Sequence, residues 1–229
     1  MEYPHNRPYT ADDLVRIITL LRDPVNGCPW DKVQTHTSIR MNFLEEAYEA
    51  VDALDLDDPV LMCEELGDVL MQVAFHTCME QETGRFTWEQ VCDGVCQKLI
   101  ERHPNIFGTQ PGYEGITDWD ALKNKEKGRR TLADDLESVP RAMPALMRAA
   151  KLQKRAVRHG AALQGADAAA LADAAENLQT AQPASAQAEQ AVGELLFAAA
   201  NLARQVGVDP EQALQKANEA FCTAAGPVA

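Results

Sequence analysis

The sequence predicts an all-α protein. Three observations carry that prediction: apolar residues recur at helical spacing between cap signals, no stretch alternates with the period of two that a strand needs, and ELGDVLMQ at 65–72 returns as AVGELLFA at 191–198. The repeat keeps Gly67 as Gly193 and Leu70 as Leu196, and puts Glu194 where Asp68 stands. A duplicated four-helix unit explains it, with chance likeness between two amphipathic helices as the bland alternative.

Thr10 with Asp13 caps a first helix, whose Leu14, Ile17, Ile18 and Leu21 recur at helical spacing. DPVNGCPWD at 23–31 brings two prolines and a glycine, and so a loop. A second helix is expected over 37–56, with Leu44, Ala47, Tyr48, Val51 and Leu54 as its apolar stripe. Asp58 and Pro59 suit the N-cap and first position of a third, ending near Gly84. Thr87 and Gln90 form a capping box for a fourth, stopped by Pro104. A loop over 105–116 then leads to a short helix, opened by Thr117 with Asp120, that carries Trp119 and Lys123. From residue 161 onward 24 of 69 residues are alanine. Helices at about 167–180, 185–206 and 209–224 there form readily but bury little area, which predicts a less stable second half.

The chain has 229 residues, 46% of them hydrophobic, and can bury a sizeable core. A net charge of −14 and a pI near 4.7 argue against nucleic acid or an anionic membrane as partner. No apolar run approaches the ~18 residues of a membrane span, and MEYPHNRPYT is unlike a signal peptide, so a cytoplasmic location is expected. Six scattered cysteines are expected to be reduced thiols. Cys92 and Cys96 lie one turn apart, without the second ligand pair a zinc site needs.

Between Met41 and Gly84 stand twelve Asp and Glu and no Lys or Arg. Residues three apart on a helix share a face, so Glu46 pairs with Glu49, and Glu65 with Asp68 on the next helix. The short connection at 52–58 makes those helices antiparallel neighbours and lets the pairs face each other. Most acidic helices are simply solvated, but a solvated helix intersperses Lys, and like charges at this spacing destabilise by a few tenths of a kcal/mol per pair. Gly67 in mid-helix costs about 1 kcal/mol more and suits a close backbone approach. Four converging carboxylates must hold protons or bind cations.

Oxygen ligands without histidine or thiolate suit Mg2+ or Mn2+, which bridge to substrate phosphates. A carboxylate di-iron site is the competing metal reading, but neither His76 nor His103 stands three residues after a Glu. Carboxylate-held divalent metal points to a phosphoryl substrate and metal-activated water. No glycine-rich phosphate loop is present, so Lys98, Arg102, His103 and Lys123 are the candidate phosphate contacts, each more often an ordinary surface charge.

EExxE as Glu45, Glu46 and Glu49, followed by ExxD as Glu65 and Asp68, resembles the signature of the MazG family of nucleoside triphosphate pyrophosphohydrolases. RDPVNGCPWDKVQTH, EELGDVLMQVAFH, GRF, KLIERHPNIFG and PRAMPALMRAAKLQKR extend the likeness over nearly the whole chain, in the order of the two-unit bacterial proteins. The resemblance implies a MazG-like four-helix unit over 1–130 and a second, degenerate helical unit over 131–229. It implies a homodimer that uses Mg2+, with Mn2+ as a substitute, and cleaves NTP or dNTP between the α and β phosphates to a monophosphate and pyrophosphate. By motif position Glu46, Glu49, Glu65 and Asp68 are metal ligands, and Glu45 orients water or substrate. Lys98 and Arg102 contact phosphates, and Trp119 and Lys123 lie near the nucleotide. Trp30 is a weaker candidate for base contact, with loop packing as its commoner role.

The second half departs from the family pattern. AENLQ at 175–179 leaves only Glu176 of the first motif, AVGE at 191–194 leaves only Glu194 of the second, and KANEAF at 216–221 has alanine in place of a second lysine. Two carboxylates do not make the four-ligand site, so that copy is expected to be catalytically dead. The readings in competition are a pyrophosphohydrolase with its one centre in the first unit, a nucleotide-binding regulatory or scaffold protein without turnover, and a purely structural helical module.

Overall fold

The computed structural model describes residues 2–104, 106–108, 122, 126–128 and 131–226. Every regular element among them is helical. Packing divides the chain into two compact units, Met1–Ile116 and Thr117–Ala229.

In the first unit, α1 spans Ala11–Leu21, α2 His36–Asp55, α3 Pro59–Glu82 and α4 Trp88–Arg102, with a 3-10 turn at Asp31–Val33. Local chemistry sets their starts. Thr10 exchanges side-chain and backbone hydrogen bonds with Asp13, as do Thr87 with Gln90 and Thr35 with Ser38. Asp58 accepts from the amides of Val60 and Leu61, with Pro59 in the first turn. The long α3 is central: α1, α2 and α4 all pack on it. Val15 and Ile18 of α1, Ile39 of α2, Phe75, Cys78 and Met79 of α3 and Trp88 of α4 form the core.

Arg22, only 8% exposed, ties the loop after α1 to this core. Its Nε and Nη2 donate to the two carboxylate oxygens of Glu82 at 2.6 and 2.8 Å, and Nη1 donates to the carbonyls of Asp31 and Gln34. Its guanidinium lies over the Phe75 ring. In the same loop a Cβ on Gly27 would fall 2.4 Å from the carbonyls of Leu21 and Asp23, so only glycine fits there.

Two expectations fail in this unit. The buried residues of α2 are Ile39, Ala50 and Ala53, whereas Tyr48, Val51 and Leu54 are about half exposed. The predicted stripe is not the face that meets α3, because α3 covers a single narrow side of α2. Among the described residues nothing lies within 4 Å of a Cβ placed on Gly67, so no close approach within the chain requires glycine there.

The second unit holds α5 at Leu132–Glu137, α6 at Ala145–Arg158, α7 at Ala168–Thr180, α8 at Ala186–Gln205 and α9 at Pro210–Ala225. The last three agree closely with the expected helices; α5 and α6 were not anticipated. α5 is a single short turn and a half opened by a Thr131–Asp134 capping box, and α6 begins at Pro144 with no side-chain cap to announce it. α8 is central here, packing against α6, α7 and α9. Its buried apolar residues are Ala191, Ala198 and Ala200, and α6 and α7, which pack on it, bury Ala156 and Ala174. Polar contacts add order: fully buried Asp135 pairs with Arg155, Arg158 and His159, and Gln153 donates to the Phe197 carbonyl. Trp119 and Lys123, and the helix expected around them, lie outside the described residues.

Candidate functional site

The acidic residues meet because α2 and α3 run antiparallel, joined by a tight turn in which Asp57 takes a left-handed conformation, φ 52°. Down the groove between them, Glu49 lies opposite Glu65, and Glu46 opposite Asp68 and Gln72. Phe43 lies opposite His76 and His36 opposite Glu80. One carboxylate oxygen from each of Glu46, Glu49 and Glu65 falls within 4.8 Å of the others. Asp68 is not in that trio, but its charge acts on both Glu46 and Glu65. Glu45 is exposed and is the weakest of the acidic influences on Glu46.

Among the described residues, the charges that act on Glu46 and Glu65 are all negative. Partial burial pushes the Glu46 carboxyl above its usual range, Asp68 adds to the rise, a hydrogen bond from Gln72 opposes it, and Glu49 and Glu45 reinforce it. Loss of hydration also raises Glu65, followed by the charges of Glu49, Glu64, Asp68 and Glu46. Three convergent hard oxygens, with ionisation disfavoured by neighbours of the same sign, fit a divalent cation.

The remaining site candidates are less concentrated. Lys98 is exposed on α4 and Arg102 is half-buried in its last turn. Trp30 is 57% exposed, so loop packing is not what holds it. The sequence reading passed over His36, Glu80 and Arg85, which together with His76 form a linked cluster farther along the same groove. A signal was available: Asp68, Gln72, His76 and Glu80 recur every four residues, on one face of α3.

The family model described as the MazG nucleotide pyrophosphohydrolase domain matches residues 34–107. An Escherichia coli K12 protein named nucleoside triphosphate pyrophosphohydrolase is 41% identical over 219 residues, which cover 92% of this chain and 83% of that protein. The chain belongs to the MazG family. A Thermotoga maritima protein, named nucleoside triphosphate pyrophosphohydrolase/pyrophosphatase MazG, is 39% identical over 92% of this chain and 82% of its own length. A shorter likeness joins this MazG chain to the Mycobacterium tuberculosis nucleoside triphosphate pyrophosphohydrolase, 34% identical over 66% of this chain and 46% of that one. The matched MazG domain takes in α2, α3 and α4, the helices that form and flank the acidic groove.

Proposed function

We propose that this MazG chain hydrolyses nucleoside triphosphates, NTP or dNTP, to a nucleoside monophosphate and pyrophosphate, with Mg2+ as cofactor and a single active centre in the first unit. The observation that carries the reading is the convergence of Glu46, Glu49 and Glu65 across α2 and α3. Family membership selects the reaction. Glu46, Glu49 and Glu65 would hold the cation, with Asp68 completing the oxygen set from α3. Bound there, a divalent cation offsets phosphate charge and makes water a better nucleophile toward the α-phosphate; Mn2+ would substitute.

The chain's own residues supply the rest. Glu45, exposed one position before Glu46, would orient water or substrate. Lys98 and Arg102 on α4 would meet the phosphates, and Trp119 and Lys123 the nucleotide. In the second unit Ala191 stands where Glu65 stands in the repeat, so the ligand set is incomplete and that unit does not catalyse. Tyr48, Val51, Leu54, Leu66 and Leu70 leave an exposed apolar surface on α2 and α3 that supports a homodimer. The partners are then the nucleotide and a second copy, with neither nucleic acid nor membrane, in keeping with the acidic charge.

The test is product analysis with Mg2+ and a panel of NTPs and dNTPs, scoring pyrophosphate and monophosphate separately from phosphate and diphosphate. Glu49→Ala and Asp68→Ala should each lower pyrophosphate release by at least about a hundredfold with helical content retained. Full activity in either variant, or tight nucleotide binding without product in the parent, defeats the assignment.

A further inference from the structure

The reaction outlined above leaves one titratable cluster of the groove unused. It comprises His36 at the start of α2, His76 and Glu80 on α3, and Arg85 in the turn that follows. His36 Nε2 lies 2.5 Å from Glu80 Oε1, and His36 Nδ1 lies 2.7 Å from His76 Nδ1. Arg85 holds both oxygens of Glu80, with Nη2 donating to Oε1, the oxygen that His36 also meets, and Nε 2.6 Å from Oε2. Glu80 is only 7% exposed. The two imidazoles lie nearly parallel, 6° apart.

These contacts restrict where protons can be. Glu80, ionised beside Arg85, can only accept, so His36 Nε2 carries a hydrogen. Two ring nitrogens 2.7 Å apart need one hydrogen between them. If His36 is an imidazolium, it donates from Nδ1, and neutral His76 carries its own hydrogen on Nε2. If the pair holds one proton fewer, His36 Nδ1 is bare and His76 must donate from Nδ1, which leaves its Nε2 bare. One proton gained or lost by the pair therefore turns His76 Nε2 from donor to acceptor.

His76 faces a cavity of about 570 Å³ whose walls include Phe43, Val73, Thr77 and Phe86. The cavity continues the catalytic groove. Phe43 precedes Glu46 by three residues on α2, and His76 follows Gln72, the partner of Glu46, by four on α3, so it lies about one helical turn (~5.4 Å) from Glu46, the nearest of the carboxylates. Aromatic and apolar walls with one polar edge suit a planar heterocycle.

We propose that this cavity receives the base of the nucleotide, and that the proton state of the His36–His76 pair decides whether His76 presents a donor or an acceptor to the base edge. The inference rests on the nucleotide reading above. Burial and the charge of His36 both hold His76 below the usual imidazole range, which makes it the neutral member. Among the described residues, the charged groups at the pair are Glu80 from α3, bonded to His36, and Arg85 from the turn after it, bonded to Glu80. The wall residues Phe86 and Val91 bring no charge.

The experiment uses the full chain labelled with 15N-histidine, followed by NMR across the titration of the pair. Expected is a His76 that exchanges its hydrogen from Nδ1 to Nε2 as His36 gains its second proton, an exchange lost in His36→Phe. A single His76 tautomer at both extremes overturns the switch. AMP and CMP, each bearing an exocyclic amine, are then added without metal. At least one should move the His76 ring nitrogens and tighten by about tenfold on deprotonation, relative to His36→Phe, which retains the phosphate's own titration. Neither nucleotide moving His76 overturns the base site. Pyrophosphate release by a chain that fails these tests leaves the proposed function standing; tautomer exchange and nucleotide binding without pyrophosphate release supports the inference and defeats that function.

Discussion

Glu46 and Glu65 bind protons more tightly in the fold than in the unfolded chain, because burial and neighbouring carboxylates disfavour their charge. Their stabilising contribution is present below the ordinary glutamate value of 4.5 and is lost as pH rises through the raised folded values. Asp13 and Glu89 act in the opposite sense: hydrogen bonds from Thr10 and Thr87 hold them low, so their contribution disappears on acidification. The Glu46→Gln, Glu65→Gln double variant separates the two effects. Without divalent cation, its urea midpoint relative to the parent should rise as pH climbs from below the ordinary glutamate value of 4.5 through the raised folded values, and Mg2+ should remove the difference by stabilising only the parent. A pH-independent difference contradicts the electrostatic account. Arg22 illustrates a residue whose weight was invisible in the sequence, since its partners lie 9, 12 and 60 positions away. Arg22→Met leaves two loop carbonyls without their donor and returns the partly solvated Glu82 carboxylate to water, and should cost about 1–2 kcal/mol in chemical denaturation.

Helix starts were legible because a cap is a local device: Thr10 with Asp13, Asp58 before Pro59, and Thr87 with Gln90 all act within three residues. The face a helix buries is not local. Tyr48, Val51 and Leu54 share the apolar character of Ile39, but only the placement of α3 decides which of them is covered. The turns between paired helices show the same logic at backbone level. Asp57 (φ 52°) precedes the N-cap Asp58, and Ala184 (φ 56°) precedes the N-cap Ser185 at the matching turn of the second unit. Aspartate tolerates a left-handed backbone through its short polar side chain; alanine does not. Ala184→Gly should therefore raise stability by up to about 1 kcal/mol, read as a higher thermal midpoint, and a decrease would show that Ala184 is not strained.

At the scale of the whole chain, two units of similar helical design carry unequal chemistry. The first packs Phe, Met, Trp and Ile around α3 and brings three carboxylates together; the second packs alanine around α8. In the second unit Glu194 lines a cavity of about 620 Å³ with Asp173 and accepts a hydrogen bond from Gln190. Glu194→Ala should leave pyrophosphate release unchanged within about twofold, since Glu194 and Asp173 alone do not assemble a cation site. A large loss would put a working centre in the second unit.

The sequence by itself determined the helical class, most of the caps and the acidic residues worth watching, because capping and three- or four-residue spacing are properties of the local chain. Tertiary structure alone decided that Glu46, Glu49 and Glu65 converge while Asp68 stands beside them, and that His36 reaches His76 and Glu80 across 40 and 44 residues. Those meetings depend on the rotation and register of α2 against α3, set by the packing of α3 on its neighbours rather than by any residue of the site.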